Sequence, residues 1–558
     1  MKTKYILLSL IVSLLLIGNI SCSDSFLNEK PYSSYAPETL TDAKGIEASL
    51  KGLHYRFGEI WTWSDQQGWL CCWQIGTDVA SPGGIQGVEI PFFNYSEMNS
   101  ENRAVKYMWE KSYQIINTAN IIIQALGEDG DPEKIAEAKF FRGYMYNTLA
   151  TLYGNVPLVT TPTATAKTDY VRTALSEVNT LIIEDLKYAS QYLPDIDKLV
   201  SESRANKYMA MQVLGEVYLR IDNPSEAESI LSTIIDDKKF SLVKARYGKK
   251  MAEKGDYFSD IFVFGNQRRS QGNTEAIWTF ELEYTKDVPG GYTGAPQHRR
   301  VWVPAYHNVP GMTYENSDSL GGRGNGRMRP SNWVKYQLYE EGDIRNSENN
   351  IKRHFYYNAP GYKQTIGIDI NGLRVAVDSK DAVTTKEVKE GDPVIVAAGD
   401  TLESMFPYST KWNAFDPSDA WGWACIKDFP IMRLGETYLL RAEARYKQNN
   451  LQGAADDINV LRERAFGTAY PAKGKVDASD ITMDFILDER ARELFAEENR
   501  RMTLMRTKTL LQRAKLNTES TIKGEISGLE ERHLLLPIPL DEILRNKDAV
   551  LEQNPGYQ

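Results

Sequence analysis

The chain has 558 residues, of which 42% are hydrophobic and 25% are charged. This composition supplies enough apolar material for a large core or for two or three packed subdomains, and it excludes an intrinsically disordered chain. The formal net charge is -10, and the sequence contains no block of basic residues that could attract phosphates. The sequence therefore predicts a globular protein that does not bind nucleic acid.

The amino terminus has the features of a secretory signal. A mostly apolar run over residues 5–17 follows two early lysines, and it has the length of a signal-peptide core rather than of a membrane span. Ser21 is a small residue directly before Cys22, as in lipoprotein processing. We predict a lipoprotein signal peptide over residues 1–21 and acyl chains on Cys22 that anchor the mature protein. Asn19 stands where lipoproteins usually have an aliphatic residue, so secretion without lipidation is the alternative.

The remaining cysteines do not form a disulfide framework. After lipidation of Cys22, the chain keeps Cys71, Cys72 and Cys425. One bridge from Cys71 or Cys72 to Cys425 is possible, and a second bridge within the chain is not. Buried thiols are the favoured interpretation.

Helices dominate the N-terminal region, residues 22–237. Pro132 suits the first turn of a helix and Gly154 suits its end. Helices of this length with short connections pack as antiparallel hairpins. The predicted helices of this region include Thr41–Phe57, with Thr41 as N-cap, Tyr107–Leu126, Pro132 to Gly154, and Ser176–Leu193.

A six-residue motif occurs twice. Residues 214–219 (LGEVYL) are similar to residues 434–439 (LGETYL), and a second helix follows each copy, starting near Pro224 and near Leu451. The pattern is typical of tetratricopeptide helix pairs, in which glycine allows two helices to approach closely. The alternative is chance similarity between amphipathic helices.

Residues 238–428 have a different character, because glycine, asparagine, proline and aromatic residues are frequent there and helical stripes are few. Short alternating runs at 276–282 and 394–397 predict strands joined by long loops. Residues 429–558 return to helical patterns. The predicted fold is mainly α, a superhelix of tetratricopeptide-like helix pairs with a large irregular insertion in which ligand-binding loops are expected.

No catalytic or metal-binding motif is found. The five histidines are never four residues apart, and residues 321–327 lack the third glycine and the preceding strand of a dinucleotide loop. A Gly-x-Ser-x-Gly elbow is also missing. Acidic pairs are too frequent to exclude a glycosidase, but the helical architecture argues against one. The motifs therefore favour no class of enzyme, and we predict no metal or cofactor.

Aromatic residues form two clusters outside the helical stripes. Aromatic faces stack on sugar rings, while aspartate and arginine bond to hydroxyls, so such clusters suit a ring-shaped polar ligand. A single tryptophan there is more often part of the core than a ligand platform. The candidate glycan-binding residues are Trp61, Trp63, Trp73 and Asp78 in the first cluster, and Tyr292, Trp302, Tyr306 and Arg323 in the second.

Motifs in chain order resemble those of the SusD/RagB family of outer-membrane nutrient-binding lipoproteins. They are FLNEKP (26–31), AEAKFFRGY (136–144), LYGNVPLV (152–159), PIMRLGETYLLRAEA (430–444), DERAREL (488–494), LPIP (536–539) and QNPGY (553–557). The resemblance extends over nearly the whole chain.

This resemblance implies four tetratricopeptide-like helix pairs and a position on the outer membrane surface. It implies a protein that is not an enzyme and that captures glycans, without cleavage, as a lid on a SusC-like TonB-dependent transporter. Peptide capture, as in RagB-like members, and a purely structural role beside the transporter remain alternatives. The helical motifs are expected to form the scaffold and the transporter-facing surface, whereas the ligand loops vary too much to assign residues by family analogy.

Overall fold

The computed structural model describes residues 42–62, 68–163, 165–199, 201, 203–281, 297–315, 320–415, 427–518 and 525–558, with side chains in the first range up to Ile60. The chain divides into two compact units, residues 1–49 and residues 50–558. In the first unit, the Asp42 carboxylate accepts a hydrogen bond from the Gly45 N–H (2.7 Å) and caps the first helix. This helix begins at Ala43, and the predicted N-cap Thr41 lies outside the described residues.

The second unit is mainly helical. The helices, with the first one shared by both units, are α1 (Ala43–Thr62), α2 (Gly68–Cys71), α3 (Arg103–Leu126), α4 (Pro132–Tyr153), α5 (Leu175–Tyr192), α6 (Lys207–Arg220), α7 (Pro224–Asp236), α8 (Tyr257–Asp260), α9 (His298–Trp302), α10 (Asn332–Tyr336), α11 (Asp400–Glu403), α12 (Leu434–Lys447), α13 (Leu451–Phe466), α14 (Met483–Leu494), α15 (Arg500–Arg506), α16 (Leu510–Arg513) and α17 (Leu540–Arg545). The strands are β1 (Ala80–Pro82), β2 (Ala276–Phe280), β3 (Met328–Pro330), β4 (Ile351–Lys352), β5 (Lys363–Ile368), β6 (Arg374–Val375), β7 (Thr384–Lys389), β8 (Tyr408–Ser409) and β9 (Phe429–Arg433).

Helices α3 to α7 pack in succession, each against the next. The predicted start and end of α4 are confirmed: Asp131 caps its first turn before Pro132, and Gly154 ends it with a φ of 74°. Glycine adopts positive φ values at no steric cost, and this explains why a glycine ends the helix. The apolar residues of these helices, such as Ile116, Leu149 and Leu186, are buried in the core because their spacing follows the helical repeat.

The repeated motif forms the first helix of two helix pairs. Copy 1 lies in α6, which packs on α7, and copy 2 lies in α12, which packs on α13. The second helices begin at Pro224 and Leu451, as predicted. Helix α12 also packs against α7 and α14, so the two pairs are neighbours although the irregular region separates them in the sequence.

The region between the two pairs consists of short strands, the short helices α8 to α11 and irregular segments. Antiparallel pairs join β1 to β3, β2 to β9 and β4 to β8, and β5 lies between β6 and β7. The strand predicted at 276–282 is confirmed as β2 (Ala276–Phe280). The strand predicted at 394–397 is wrong: Val394 N–H donates to the Phe355 carbonyl and Val396 accepts from Arg374, so this segment bonds to two different neighbours and joins no sheet.

Buried charges connect copy 2 to the irregular region. Glu493 on α14 is fully buried and accepts hydrogen bonds from Arg433 Nη1 (2.5 Å), Arg345 Nη1 (3.0 Å) and Arg464 Nη2. Burial alone would raise the pKa of this carboxyl, but the three guanidinium groups hold it well below its ordinary value. We refer to these four residues as the Glu493 network.

Cys71 and Cys72 are buried thiols, and burial raises the pKa of both. Their predicted alternative partner, Cys425, lies outside the described residues. Within the described part of the chain, none of the helices is both long and apolar enough to cross a membrane.

Candidate functional site

A partly open cavity of about 130 Å³ brings together one tryptophan from each of the two predicted aromatic clusters. Trp73 from the first cluster and Trp302 from the second both line it. Residues of α4, α6, α12, α14 and α15 form much of the remaining wall. The cavity is therefore built by the helical frame, by the short helix α9 and by the segment that follows α2.

The two tryptophans differ in exposure. Trp73 is half-buried, its carbonyl accepts from Arg501 N–H (3.0 Å), and its ring lies edge-on to Phe92 with 5.9 Å between centroids. Trp302 is the last residue of α9, is 1% exposed, and lies edge-on to Phe495 at 5.1 Å. Both rings are thus held by neighbouring groups, and Trp73 keeps the more accessible face.

One wall of the cavity is polar. Arg490 on α14 donates from Nε to Glu498 (2.5 Å) and from Nη2 to Glu436. Glu436 also accepts from Gln212 Nε2 (2.9 Å). Burial raises the pKa of Glu436, and the charges of Glu216 and Glu498 act in the same direction. These side chains can donate to and accept from a polar ligand.

Glu216 extends this polar wall. Its carboxylate accepts from Asn147 Nδ2 (3.1 Å), whose Oδ1 accepts from Arg220 Nε (2.9 Å). Burial lowers the pKa of Arg220 to about 10, and the charge of Arg506 contributes less. Arg220 nevertheless stays protonated at neutral pH, so this wall carries charges of both signs.

His298 also lines the cavity and is neutral at physiological pH. Its ring stacks on Trp412, with 4.0 Å between the centroids and 17° between the planes. Burial lowers the pKa of His298 to about 3, and the nearby Lys427 charge adds to this effect. The imidazole therefore contributes a flat, uncharged surface.

The carboxylate of Asp78 forms hydrogen bonds with side chains of the protein and is not directed to a ligand-binding role. Asp78 is fully buried and accepts from Arg500 (2.9 and 2.6 Å) and from Arg513 Nε (2.9 Å). Burial alone would raise its pKa, but the two arginines lower it below the ordinary value. This arrangement joins the segment after α2 to α15 and α16, which is a structural role.

Tyr306 and Arg323 lie in one loop cluster. Tyr306 is fully buried, and its hydroxyl donates to the Gly322 carbonyl (2.8 Å). The Arg323 guanidinium is half-buried, 6.0 Å from the centre of the Tyr314 ring. Burial lowers the pKa of Arg300 to about 9, and the guanidinium of Arg323 contributes to this shift. The cluster is thus rich in positive charge, whereas the ring of Tyr306 belongs to the core.

Four of the predicted functional residues lie wholly or partly outside the described part of the chain. Trp61 is in the last turn of α1, and its side chain lies outside what the structure describes. Trp63, Tyr292 and the lipidation residue Cys22 also lie outside the described residues.

The polar wall was not predicted from the sequence, because its members belong to motifs that indicate the helical scaffold. Glu216 and Glu436 are the third residues of the two repeat copies, and Arg490 belongs to the DERAREL motif. The repeated Gly-Glu pair was the available signal. A glutamate directly after the glycine in both copies indicates that the two carboxylates share an environment.

Comparison with known proteins supports the fold and the family. The family model described as SusD family matches residues 274–557, and a second, described as starch-binding associating with outer membrane, matches residues 25–219. SusD-like protein P25 of Formosa agariphila is 26% identical, over 99% of each chain. The starch-binding protein SusD of Bacteroides thetaiotaomicron is 34% identical over 131 residues, 24% of this chain and 22% of that protein.

A solved structure agrees with this assignment. A laminarin-binding SusD-like protein has a TM-score of 0.61 and 19% identity, covering 92% of this chain and 100% of that chain. At this identity the likeness shows the fold, and it confirms the mainly helical class with tetratricopeptide-like pairs. Because the SusD family model covers half of the sequence and the full-length relative covers nearly all of it, the chain belongs to the SusD family.

Proposed function

We propose that this protein binds glycans at the outer membrane surface and delivers them to a SusC-like TonB-dependent transporter. The observation that carries the proposal is the cavity shared by Trp73 and Trp302, residues far apart in the sequence. Relatives whose names state starch or laminarin binding support the same ligand class. Delivery to a transporter rests on the family resemblance.

The chemistry of the cavity suits a sugar ring. Trp73 supplies an aromatic face, and Arg490 and Glu436 supply a donor and an acceptor for hydroxyl groups. Stacking contributes about 1 kcal/mol per ring, so affinity should be micromolar or weaker. Such affinity suits a protein that captures its ligand, leaves its bonds intact and releases it to a partner.

Calorimetric titration against plant, host and microbial polysaccharides tests this function. The full-length protein is kept in a detergent without a sugar headgroup, and the products are checked for shortening. Binding without shortening supports glycan capture, whereas shortening would make the protein an enzyme. If none of the polysaccharides in the panel binds, peptide capture or a structural role is favoured.

Trp73→Ala tests the location of the site. Removing one stacking face should weaken glycan affinity about fivefold. Tyr336→Ala is the control, because Tyr336 is 71% exposed and is not a lining residue of the cavity. Equal affinity of both variants and the parent protein would contradict a site at Trp73.

The lipid anchor is part of the proposal and depends on Cys22. Cys22→Ala should release the protein from the membrane fraction, because a lipid-anchored protein loses its attachment with its acyl chains. Cys71→Ala is the control, because this thiol is buried in the folded protein. Membrane association of Cys22→Ala equal to that of the parent would contradict lipidation.

A further inference from the structure

The polar wall of the cavity contains an N–H group that the protein does not satisfy. Arg490 is 3% exposed, and its Nε and Nη2 donate to Glu498 and Glu436. Among the described residues, none accepts a hydrogen bond from its Nη1. A buried donor on a charged group without a partner is destabilising. The cavity therefore suits an occupant with an acceptor oxygen at this nitrogen.

The charges of the lining indicate an uncharged occupant. The described lining residues include three arginines and four glutamates, and His298 is neutral. An anionic ligand would add a negative charge that this lining does not compensate. A hydroxyl group, in contrast, can accept from Arg490 Nη1 and donate to Glu436 or Glu216. Hydroxyl groups can therefore bond to both the hydrogen-bond donors and the hydrogen-bond acceptors of the polar wall without adding charge.

The volume limits the occupant to a single ring. The cavity measures about 130 Å³, and an engineered protein cavity of about 150 Å³ binds benzene. A space of this size encloses at most one six-membered ring, and any further ring of the ligand must remain outside. Trp73, which is half-buried, provides the aromatic surface for the ring. The ligand should therefore enter with a chain end or with a single-unit branch.

We infer that Arg490 anchors one uncharged sugar unit, at the end or on a branch of the glycan, inside this cavity. The inference rests on the proposed function and adds the ligand class and the anchoring residue. Nη1 donates to a hydroxyl or ring oxygen of that unit, and no bond of the sugar is broken.

The ligand class is tested with matched ligands. Each neutral polysaccharide that binds in the calorimetric panel is compared with its O-sulfated derivative of the same chain length. Sulfation should weaken binding about tenfold or more, because it adds charge and removes hydroxyl donors. Equal or tighter binding of the sulfated form would overturn the inference.

The location is tested with a variant that fills the cavity. Thr148 lines the cavity and its hydroxyl donates to the Tyr144 carbonyl one turn earlier (3.1 Å). Thr148→Leu should weaken binding about tenfold or more, since the longer side chain takes the space of the ring. Thr118→Leu is the matched control, because Thr118 makes the same contact to Gln114 (2.9 Å) on α3 and is not a lining residue.

Arg490→Lys is the second variant, and it keeps the positive charge while removing Nη1. It should weaken binding about tenfold, as expected for a lost hydrogen bond to a charged group. If the parent binds glycans but Thr148→Leu binds as tightly as Thr118→Leu, the cavity holds only water and the inference is wrong, although the proposed function stands. If the parent binds no glycan at all, the proposed function fails, and the inference fails with it.

Discussion

The two copies of the repeated motif have the same sequence pattern but different surroundings. A methyl group placed on Gly215 in copy 1 would lie 2.8 Å from Leu231 Cδ2, on the neighbouring helix α7. A methyl group on Gly435 in copy 2 would lie 2.7 Å from Arg433 Nη1 and 2.8 Å from Glu493 Oε1. Both copies need a small residue, but only copy 1 needs it for close packing of two helices.

This difference teaches that one sequence motif can meet two physical demands. In copy 1, glycine allows apolar side chains to interdigitate, as expected for a tetratricopeptide pair. In copy 2, glycine leaves room for the Glu493 network, in which charges are buried only because they are paired. The residue after each glycine has the same role, since Glu216 and Glu436 both line the cavity.

Removal of a charge from the Glu493 network should have the largest effect. Glu493→Gln should lower the free energy of unfolding by about 3–5 kcal/mol, because three buried guanidinium groups lose their shared anion. Denaturant unfolding followed by circular dichroism measures this change. Glu463→Gln is the control, because its ion pair with Lys244 is exposed and should contribute less than about 1 kcal/mol. If both variants lose similar amounts of unfolding free energy, the buried Glu493 network contributes no more to stability than an exposed ion pair.

The same substitution in both copies compares them directly. Gly435→Ala should cost about 2–3 kcal/mol, because the added methyl displaces groups of a buried ionic network. Gly215→Ala should cost less than about 1 kcal/mol, because the Leu231 side chain can move and alanine favours the helix. Thermal and denaturant unfolding of the two variants give the comparison. Equal costs would show that both glycines serve helix packing alone.

The pH dependence of stability probes the cavity that the two copies share. His298 has a pKa of about 3 in the folded protein, below the ordinary value of 6.5. Below pH 6.5 the unfolded chain gains a proton that the folded protein excludes, so the free energy of unfolding falls as pH falls. The loss should be about 2 kcal/mol between pH 6.5 and pH 5.

His298→Phe keeps the flat ring beside Trp412 and removes the titration. Its unfolding free energy should depend less on pH in this window, although His307, whose pKa is lowered to about 4, preserves part of the slope. His354→Phe is the control, because the His354 side chain is 71% exposed. An unchanged slope in His298→Phe would mean that this imidazole is accessible to protons in the folded state.

Local patterns in the sequence predicted most of the helical frame. The start of α4 at Pro132, its end at Gly154 and the second helices of both pairs were predictable because caps and helical periodicity act within a few residues. The strand predicted at 394–397 failed because an alternating run does not reveal whether one partner strand is available.

The candidate site was predictable only in part. Trp73 and Trp302 were identified by their aromatic character, and the structure places both at one cavity. Asp78 was selected by residue type, yet it binds Arg500 and Arg513, because a carboxylate suits a sugar hydroxyl and a guanidinium equally well. Arg490 was not selected, since its place in a helical motif suggested only scaffold.

Patterns along the chain are sufficient to predict the helical class, the repeated pair, the family and the composition of the aromatic clusters. These features depend on periodicity, capping and motif order, all of which are read along the chain. Only the tertiary structure decided which polar residues pair with one another and which face the cavity. Pairing depends on distances between residues remote in sequence, and the burial of one unsatisfied N–H at Arg490 arises only when α12, α14 and α15 pack together.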